Sequence, residues 1–477
     1  MGYSCSTPSL FARLRWLLLL SGTLISGLPA FAQKLHTAPI IIKADQIRDS
    51  SRHPISTYRL FRTTPQGTAE AIPFQIDEIN EDGDYVLDQG KDTTARTGNT
   101  IFDRIDELSF MGDDVGPVLE PTAWPMGAPN FVYELTVTHP TQNPMGPSMG
   151  AVYIGIYYSS PPALSPKKYV IFQRNDAVVT TSRYKYQFDS NNWLIAKRVE
   201  VAKNETEPYD YQPVLNSSTF YMKGDLKYFI TFEANHRSIN SELEAWKSGP
   251  IRSLIRVSFF YSLLKLKIKL DMYTEISFFS NAVYLPAIMY NPIDGRKSLN
   301  TGSGMYYGLA LKDSPKNYSI ETNMAPALPA GTNLVEHGKN FISSFMNKIQ
   351  DEPVSKGLYW ISAQGLGRTI YMEIAPGQEL QRDGVAPTFY QENLSAEEMS
   401  SRSNNDALAL GKSPVNLGIA FDMTKFSEGE HMMGFRLFFE NVVAPERLAV
   451  FKGLNDWQYT ARKIKLNPRA PTKEPAP

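Results

Sequence analysis

The sequence predicts a mainly β protein, an antiparallel β-sandwich or supersandwich with a few peripheral helices. Apolar and polar residues alternate along many short segments that are rich in β-branched and aromatic residues. Tyrosine and phenylalanine supply 25 residues each, whereas charged residues make up only 20% of the chain, a composition that favours sheets over helices. Because the strand-like segments do not alternate with helical patterns, a parallel βαβ fold is not expected.

The clearest strands are predicted at 131–138 and 151–158, where proline and glycine clusters bound the alternating pattern. Turn sequences such as Asp294-Gly295 separate many of the other segments. Further strands are predicted at 168–173, 177–187, 193–201, 218–223, 227–233, 252–280, 305–311, 357–363, 368–374, 416–421 and 431–442.

Three segments predict helices that pack on a sheet. Apolar residues recur at helical spacing within 333–351. Ser395 and Glu398 have the spacing of a capping box, which predicts a helix beginning at Ser395. A short helix is predicted at 238–246.

The first 32 residues have the pattern of a secretory signal peptide. Arg13 and Arg15 precede an apolar run that ends at Pro29, and small residues flank Phe31 at the predicted cleavage site. The run is shorter than the ~20 apolar residues of a membrane span. We therefore expect a periplasmic or secreted protein with no transmembrane segment after cleavage.

Cysteine content and charge exclude several classes of function. Cys5 is the only cysteine, so the mature protein has no thiol for a nucleophile, a Cys-based zinc site or an iron–sulfur cluster. The 48 basic residues nearly balance the 49 acidic ones, and no block of Lys or Arg stands out. The sequence therefore does not predict nucleic-acid binding.

Composition also suggests how the chain is divided. A proline- and serine-rich stretch at 159–166 resembles a linker. We predict a signal peptide at 1–32, an N-terminal β domain at 33–160, a large sandwich or supersandwich at 161–466 and a disordered tail at 467–477. Whether 161–466 forms one domain or two stays open at this stage.

The segment 73–116 is unusually acidic and predicts two hairpins. Asp82-Gly83 lies between two apolar runs, a strong signal for a tight hairpin turn. Clustered carboxylates near such turns can bind calcium, which takes six to eight oxygen ligands, but Asp and Asn also favour turns because they bond to their own backbone. The candidate calcium ligands are Asp77, Asp82, Asp84, Asp113 and Asp114.

Two segments support a resemblance to known proteins. The strand at 73–78, together with the later strand at 106–111, resembles poorly characterised exported bacterial β-proteins near the galactose-mutarotase-like supersandwich and polysaccharide-lyase families. The segment 249–256 is similar to the central sheet of such supersandwiches. The resemblance implies a fold and a carbohydrate context, and it assigns no active-site residue.

No diagnostic catalytic motif is present. The six histidines form neither an H-x-H nor an HExxH pattern, and there is no G-x-S-x-G elbow. A polysaccharide lyase needs a base, such as His or Tyr, and a cation that neutralises the substrate carboxylate. The candidates of these types are His236, Arg252, Arg256 and Tyr307.

Three functional hypotheses follow from the sequence. The first is a non-enzymatic exported protein that binds a glycan or a cell-envelope component. The second is a polysaccharide-active enzyme, a lyase or hydrolase, which gains support if the four candidate side chains share one open groove. The third is a structural subunit of an envelope complex.

Overall fold

The computed structural model describes residues 39–91, 98–125, 128–139, 148–204, 206–227, 230–236, 238–263, 266–313, 315–324, 359–393, 395–401, 413–441 and 458–464. These residues belong to one compact unit. Every named strand pair within them is antiparallel, which confirms the predicted mainly β class.

The strands are numbered in chain order. The first eight are β1 (Pro39–Lys43), β2 (Tyr58–Thr63), β3 (Ala69–Ile72), β4 (Gln75–Asp77), β5 (Gln89–Gly90), β6 (Glu107–Met111), β7 (Phe131–His139) and β8 (Ser148–Ile156). The next ten are β9 (Val170–Gln173), β10 (Val178–Thr181), β11 (Tyr184–Asp189), β12 (Asn192–Ala202), β13 (Tyr211–Leu226), β14 (Ile230–Asn235), β15 (Ile239–Ser248), β16 (Ser253–Leu263), β17 (Leu266–Phe278) and β18 (Ala282–Asn291). The last eight are β19 (Gly304–Leu311), β20 (Ser319–Thr322), β21 (Tyr359–Gly365), β22 (Arg368–Pro376), β23 (Thr388–Asn393), β24 (Val415–Asp422), β25 (Gly429–Glu440) and β26 (Gln458–Ile464).

The strands form four sheets. Sheet A has the order β23-β24-β19-β13-β12-β11-β10-β9, with β14 also paired to β13. Sheet B has the order β20-β21-β22-β25-β18-β17-β16-β15-β5, sheet C the order β26-β7-β8-β2-β3, and sheet D the order β1-β6-β4.

Sheets A and B face each other as a sandwich. One apolar core contains inward-facing residues of both, such as Leu309 of sheet A and Ile255 of sheet B. Tyr307 and Phe435 meet across it with ring centroids 5.5 Å apart. Burial of these alternating apolar faces is the main force that holds the two sheets together.

A second core joins sheets C and D. It contains Ile40 and Leu108 of sheet D and Leu135 and Val152 of sheet C. Strand β26, from the far end of the chain, pairs with β7 and so completes sheet C. The N-terminal sheets therefore depend on a strand that lies within the range predicted for the large sandwich.

The outer face of sheet B, which points away from sheet A, is covered by N-terminal residues. Met111 of sheet D packs with Phe279, Tyr371 and Phe438 of this face. The preceding residue, Leu437, points to the opposite face of the strand and belongs to the sandwich core. This covered face of sheet B holds the candidate functional site.

The α-helices within the described residues are short: α1 (Gly295–Ser298), α2 (Gln378–Arg382) and α3 (Ala396–Ser401). Helix α3 follows the predicted start at Ser395. No helix in the described ranges is both long and apolar enough to cross a membrane.

One helix prediction is wrong, and another cannot be checked. The segment 238–246 forms most of β15, because its burial alternates along the chain, with Ser241, Leu243 and Ala245 buried. This period of two is that of a half-buried strand. The helix predicted at 333–351 lies outside the described residues.

Candidate functional site

Arg252 is the centre of a buried ionic network on the outer face of sheet B. It lies in the turn between β15 and β16, where the N–H of Gly249 donates to the Arg252 carbonyl over 3.0 Å. Its side chain is only 1% exposed. A guanidinium buried to this extent has to be paired, because its desolvation would otherwise cost several kcal/mol.

Two carboxylates from sheet D meet Arg252. Its Nε lies 2.8 Å from Asp77 Oδ2, and its Nη2 lies 2.7 Å from Glu107 Oε2. Asp77 and Glu107 are cross-strand partners in β4 and β6, which presents both carboxylates together. The ring of Tyr85 packs on the guanidinium, and its hydroxyl donates to Glu107 over 2.8 Å.

A lysine and an amide complete the environment of Asp77. Lys247 Nζ lies 2.8 Å from Asp77 Oδ1. The Gln75 amide nitrogen lies 2.9 Å from each Asp77 oxygen, and the amide oxygen accepts the backbone N–H groups of Ile251 and Arg252. Gln75 thereby links the acidic segment to the β15–β16 turn by side-chain bonds at both ends.

Two cations determine the titration of this network. Burial alone would raise the pKa of Asp77, but the charges of Arg252 and Lys247 outweigh burial and lower that pKa to about 2. Burial tends to lower the pKa of Arg252, whereas Asp77, Tyr85 and Glu107 raise it well above its usual value. Arg252 and Asp77 therefore stay charged at neutral pH.

A second ion pair continues the network along sheet B. Arg256 Nη2 lies 2.6 Å from Glu275 Oε1 on the neighbouring strand β17. It also donates to the carbonyl of Tyr85 over 3.1 Å. Burial raises the pKa of Glu275, and the charge of Arg256 opposes that rise.

A polar cavity of about 520 Å³ lies beside Arg256. Six carboxylates and two amides contribute to its wall. The lining residues are Glu78, Ile79, Asn80, Glu81, Asp82, Asp84, Gly98, Asn99, Asp103, Ile105, Asp106 and Arg256. We call this space the acidic cavity.

The predicted turn at Asp82-Gly83 forms one wall of the acidic cavity. Gly83 has a φ of +92°, and the Asn80 side-chain oxygen accepts the N–H groups of Asp82 and Asp84. Both oxygens of Asp106 also accept backbone N–H groups, from Ile79 and Asp103. Burial raises the pKa of Asp106 to about 6, although these hydrogen bonds oppose the rise.

The four candidate catalytic residues lie in different surroundings. Arg252 is enclosed in the network, and Arg256 lines the acidic cavity. Tyr307 is buried in the sandwich core and lines a separate apolar cavity. His236 is half-buried after β14, where its carbonyl accepts the side-chain amide of Asn192, and it lines neither cavity.

The five candidate calcium ligands are also dispersed. Asp77 is paired with Arg252 and Lys247. Asp113 and Asp114 lie together in the turn Gly112–Asp114, where Asp114 accepts from Lys167 and Tyr169. Asp82 and Asp84 line the acidic cavity, where Asp84 accepts the hydroxyl of Tyr273. In the described part of the chain no three His, Cys, Asp or Glu side chains are grouped as metal ligands. The calcium site therefore stays a prediction from the sequence.

Sequence reasoning missed several members of the network. Tyr85 and Glu107 lie 167 and 145 positions from Arg252 along the chain. Lys247 and Glu275 lie on the neighbouring strands β15 and β17, but no pattern in the sequence marked them as partners of the two arginines. The only local signal was the spacing of the two arginines, which places them on one face of a strand. A third buried pair, Glu373 with Arg436 at 2.7 Å, lies on the same sheet, and no sequence pattern indicated it.

Comparison with known proteins gives a distant structural likeness only. No family profile and no curated protein matches the chain. An α-mannosidase from Enterococcus faecalis V583 is similar at a TM-score of 0.39 and 8% identity, covering 91% of this chain and 45% of that chain. A glycosyl hydrolase family 38 protein from Enterococcus faecalis is similar at a TM-score of 0.39 and 7% identity, covering 91% and 46%. This chain thus spans about half the length of both proteins.

Proposed function

We propose that this protein is an exported, non-enzymatic β-sandwich protein that binds a glycan in the acidic cavity. The observation that carries the proposal is the chemistry of the cavity wall. Carboxylates accept hydrogen bonds, the amides of Asn80 and Asn99 both donate and accept, and Arg256 donates. Sugar hydroxyls need such a mixture, because each both donates and accepts.

The size and surroundings of the cavity support the same ligand class. About 520 Å³ lies within the usual range of roughly 300–1,000 Å³ for small-ligand sites. Tyr273 stands beside it with 37% of its surface exposed, and its hydroxyl donates to Asp84. The Arg256 guanidinium packs on this ring at 5.3 Å from its centroid, so Tyr273 helps to hold the cation that lines the cavity.

Binding is favoured over turnover by how the titratable groups are used. Asp106 has the raised pKa of a general acid. Both of its oxygens, however, already accept hydrogen bonds from the backbone N–H groups of Ile79 and Asp103. Arg252 is enclosed by its own carboxylates. The residue types of a lyase site are thus present on separate parts of the fold.

The test is a glycan-array and polymer-degradation screen on protein lacking residues 1–32. Asp82→Arg places a bulky cation in the cavity, whereas Asp176→Arg makes the same change at an exposed turn residue outside it. We expect binding without turnover, weakened about tenfold or more by Asp82→Arg and unchanged by Asp176→Arg. Release of degradation products, or equal binding by Asp82→Arg, would overturn the proposal.

A further inference from the structure

A second cavity lies between sheets A and B, distinct from the acidic cavity. It is a half-open cleft of about 120 Å³ with an almost wholly apolar wall. Its residues are Leu194, Phe220, Ile239, Phe259, Tyr273, Thr274, Leu285, Pro286, Ala287, Ile288, Met289, Met305, Tyr307, Phe421, Met433 and Phe435. We call this space the inter-sheet cleft.

The cleft lies beside a stretch where two neighbouring strands of sheet B are not regularly paired. β17 and β18 pair only at Ser277↔Tyr284 and Phe278↔Val283, although β18 continues to Asn291. Pro286 follows soon after the last pair, and proline has no N–H with which to continue a ladder. Beyond these pairs the Thr274 side chain still donates to the Pro286 carbonyl, and residues 285–289 line the cleft along this irregular stretch.

Every hydroxyl of the cleft wall already has a partner. Thr274 donates to the carbonyl of Pro286. The Tyr273 hydroxyl donates to Asp84, and the Tyr307 hydroxyl is hydrogen-bonded to Ser218. The lining residues that the structure describes include no carboxylate, amine or guanidinium. A polar ligand would therefore lose its water hydrogen bonds here and gain none.

We infer that the inter-sheet cleft binds the end of a straight aliphatic chain. An apolar cavity of about 150 Å³ accepts benzene-sized ligands, so the cleft is too small for a helix or a second copy of the chain. Met289, Met305 and Met433 supply flexible side chains that adapt to a hydrocarbon. The site takes an apolar ligand, whereas the acidic cavity takes a polar one, and the two inferences stand separately.

Methionine-methyl NMR tests the inference on the exported wild-type protein, purified from full-chain expression and stripped of lipid. Decanol is added as a neutral chain, decanoate as a free fatty acid and decyl glucoside as a chain on a large head group. We expect the signals of Met289, Met305 and Met433 to shift while Met432 stays constant, because Met432 is exposed on the opposite face of its strand. Unchanged signals of all three lining methionines with every probe would overturn the inference.

A matched pair of variants locates the binding. Ala287→Phe fills the half-buried wall of the cleft, and Ala375→Phe makes the same substitution at an exposed position of the same sheet. We expect Ala287→Phe to weaken decanol binding about tenfold or more and Ala375→Phe to leave it unchanged. Retained binding by a folded Ala287→Phe would contradict the site. We also expect Asp82→Arg, which alters the acidic cavity, to bind decanol as wild type does. The two proposals can therefore fail independently.

Discussion

Arg252 and Asp77 form a buried ion pair, with 2.8 Å between Nε and Oδ2, across 175 positions of the chain. Both side chains are only 1% exposed. Asp77 belongs to sheet D and Arg252 to the β15–β16 turn of the sandwich, so the pair joins the acidic segment to sheet B. Each charge offsets the cost of burying the other, together with Lys247 beside Asp77 and Glu107 beside Arg252.

Removing the cation should destabilise the protein strongly. Arg252→Met leaves Asp77 and Glu107 buried beside one remaining cation, Lys247. Breaking a buried pair in this way costs about 3–5 kcal/mol in the free energy of unfolding. Urea unfolding at neutral pH measures the change.

Arg62→Met is the matched control for Arg252→Met. Arg62 pairs with Glu70 at 3.0 Å, but both side chains are well exposed. Such surface pairs contribute about 0–1 kcal/mol. Similar losses of stability for the two variants would show that leaving the buried carboxylates of Asp77 and Glu107 without Arg252 costs no more than breaking a surface pair.

Gly249 should not tolerate a side chain. A Cβ atom there would lie 1.8 Å from Gln75 Oε1. The Gln75 side chain cannot easily move away, since it is hydrogen-bonded to Asp77, Ile251 and Arg252. We expect Gly249→Ala to lower the free energy of unfolding by about 1–3 kcal/mol.

Gly434→Ala is the control for this substitution. Gly434 lies within β25, and the nearest atom to an added Cβ would be 3.8 Å away. Thermal unfolding of both variants compares the two sites directly. A neutral Gly249→Ala would mean that Gln75 is free to rearrange and does not hold the β15–β16 turn.

The strands were predictable from the sequence, whereas the network was not. The alternating pattern at 131–138 predicted β7, and the Asp82-Gly83 pair predicted the tight turn at that position. Both signals depend only on residues close together in the sequence. At 238–246 the alternation of buried residues outweighed the helical signal. The partners of Arg252 come from positions 145 and 175 residues away, and only the fold brings them together.

Asp77 should contribute to the loss of stability in acid. Its pKa is lowered to about 2 in the folded protein, against about 3.9 in an unfolded chain. Because the unfolded chain takes up a proton at Asp77 more readily than the folded protein, the free energy of unfolding is largest above about pH 4 and falls as the pH drops towards 2. The difference in unfolding free energy between wild type and Asp77→Asn should therefore shrink over this window. Urea titrations at several pH values measure it, and a constant difference would contradict the assigned ion pairs.

Glu373 should act in the opposite direction near neutral pH. Its carboxylate is 1% exposed and lies 2.7 Å from Arg436. Burial raises its pKa to about 7, and Arg436 only partly offsets that rise. A raised folded pKa gives stability that is present below the unfolded value of about 4.3 and is lost as the pH rises through 7.

Glu373→Gln tests this sign because the amide does not ionise. Relative to wild type, the variant should gain stability as the pH rises from about 4 to 8, with most of the gain complete just above pH 7. Glu70→Gln, at an exposed carboxylate, should show no such trend. Urea midpoints of the three proteins at matched pH values give the comparison. A flat difference for Glu373→Gln would mean that the charge of Arg436 cancels the effect of burial, so that the pKa of Glu373 is the same in the folded and unfolded chain.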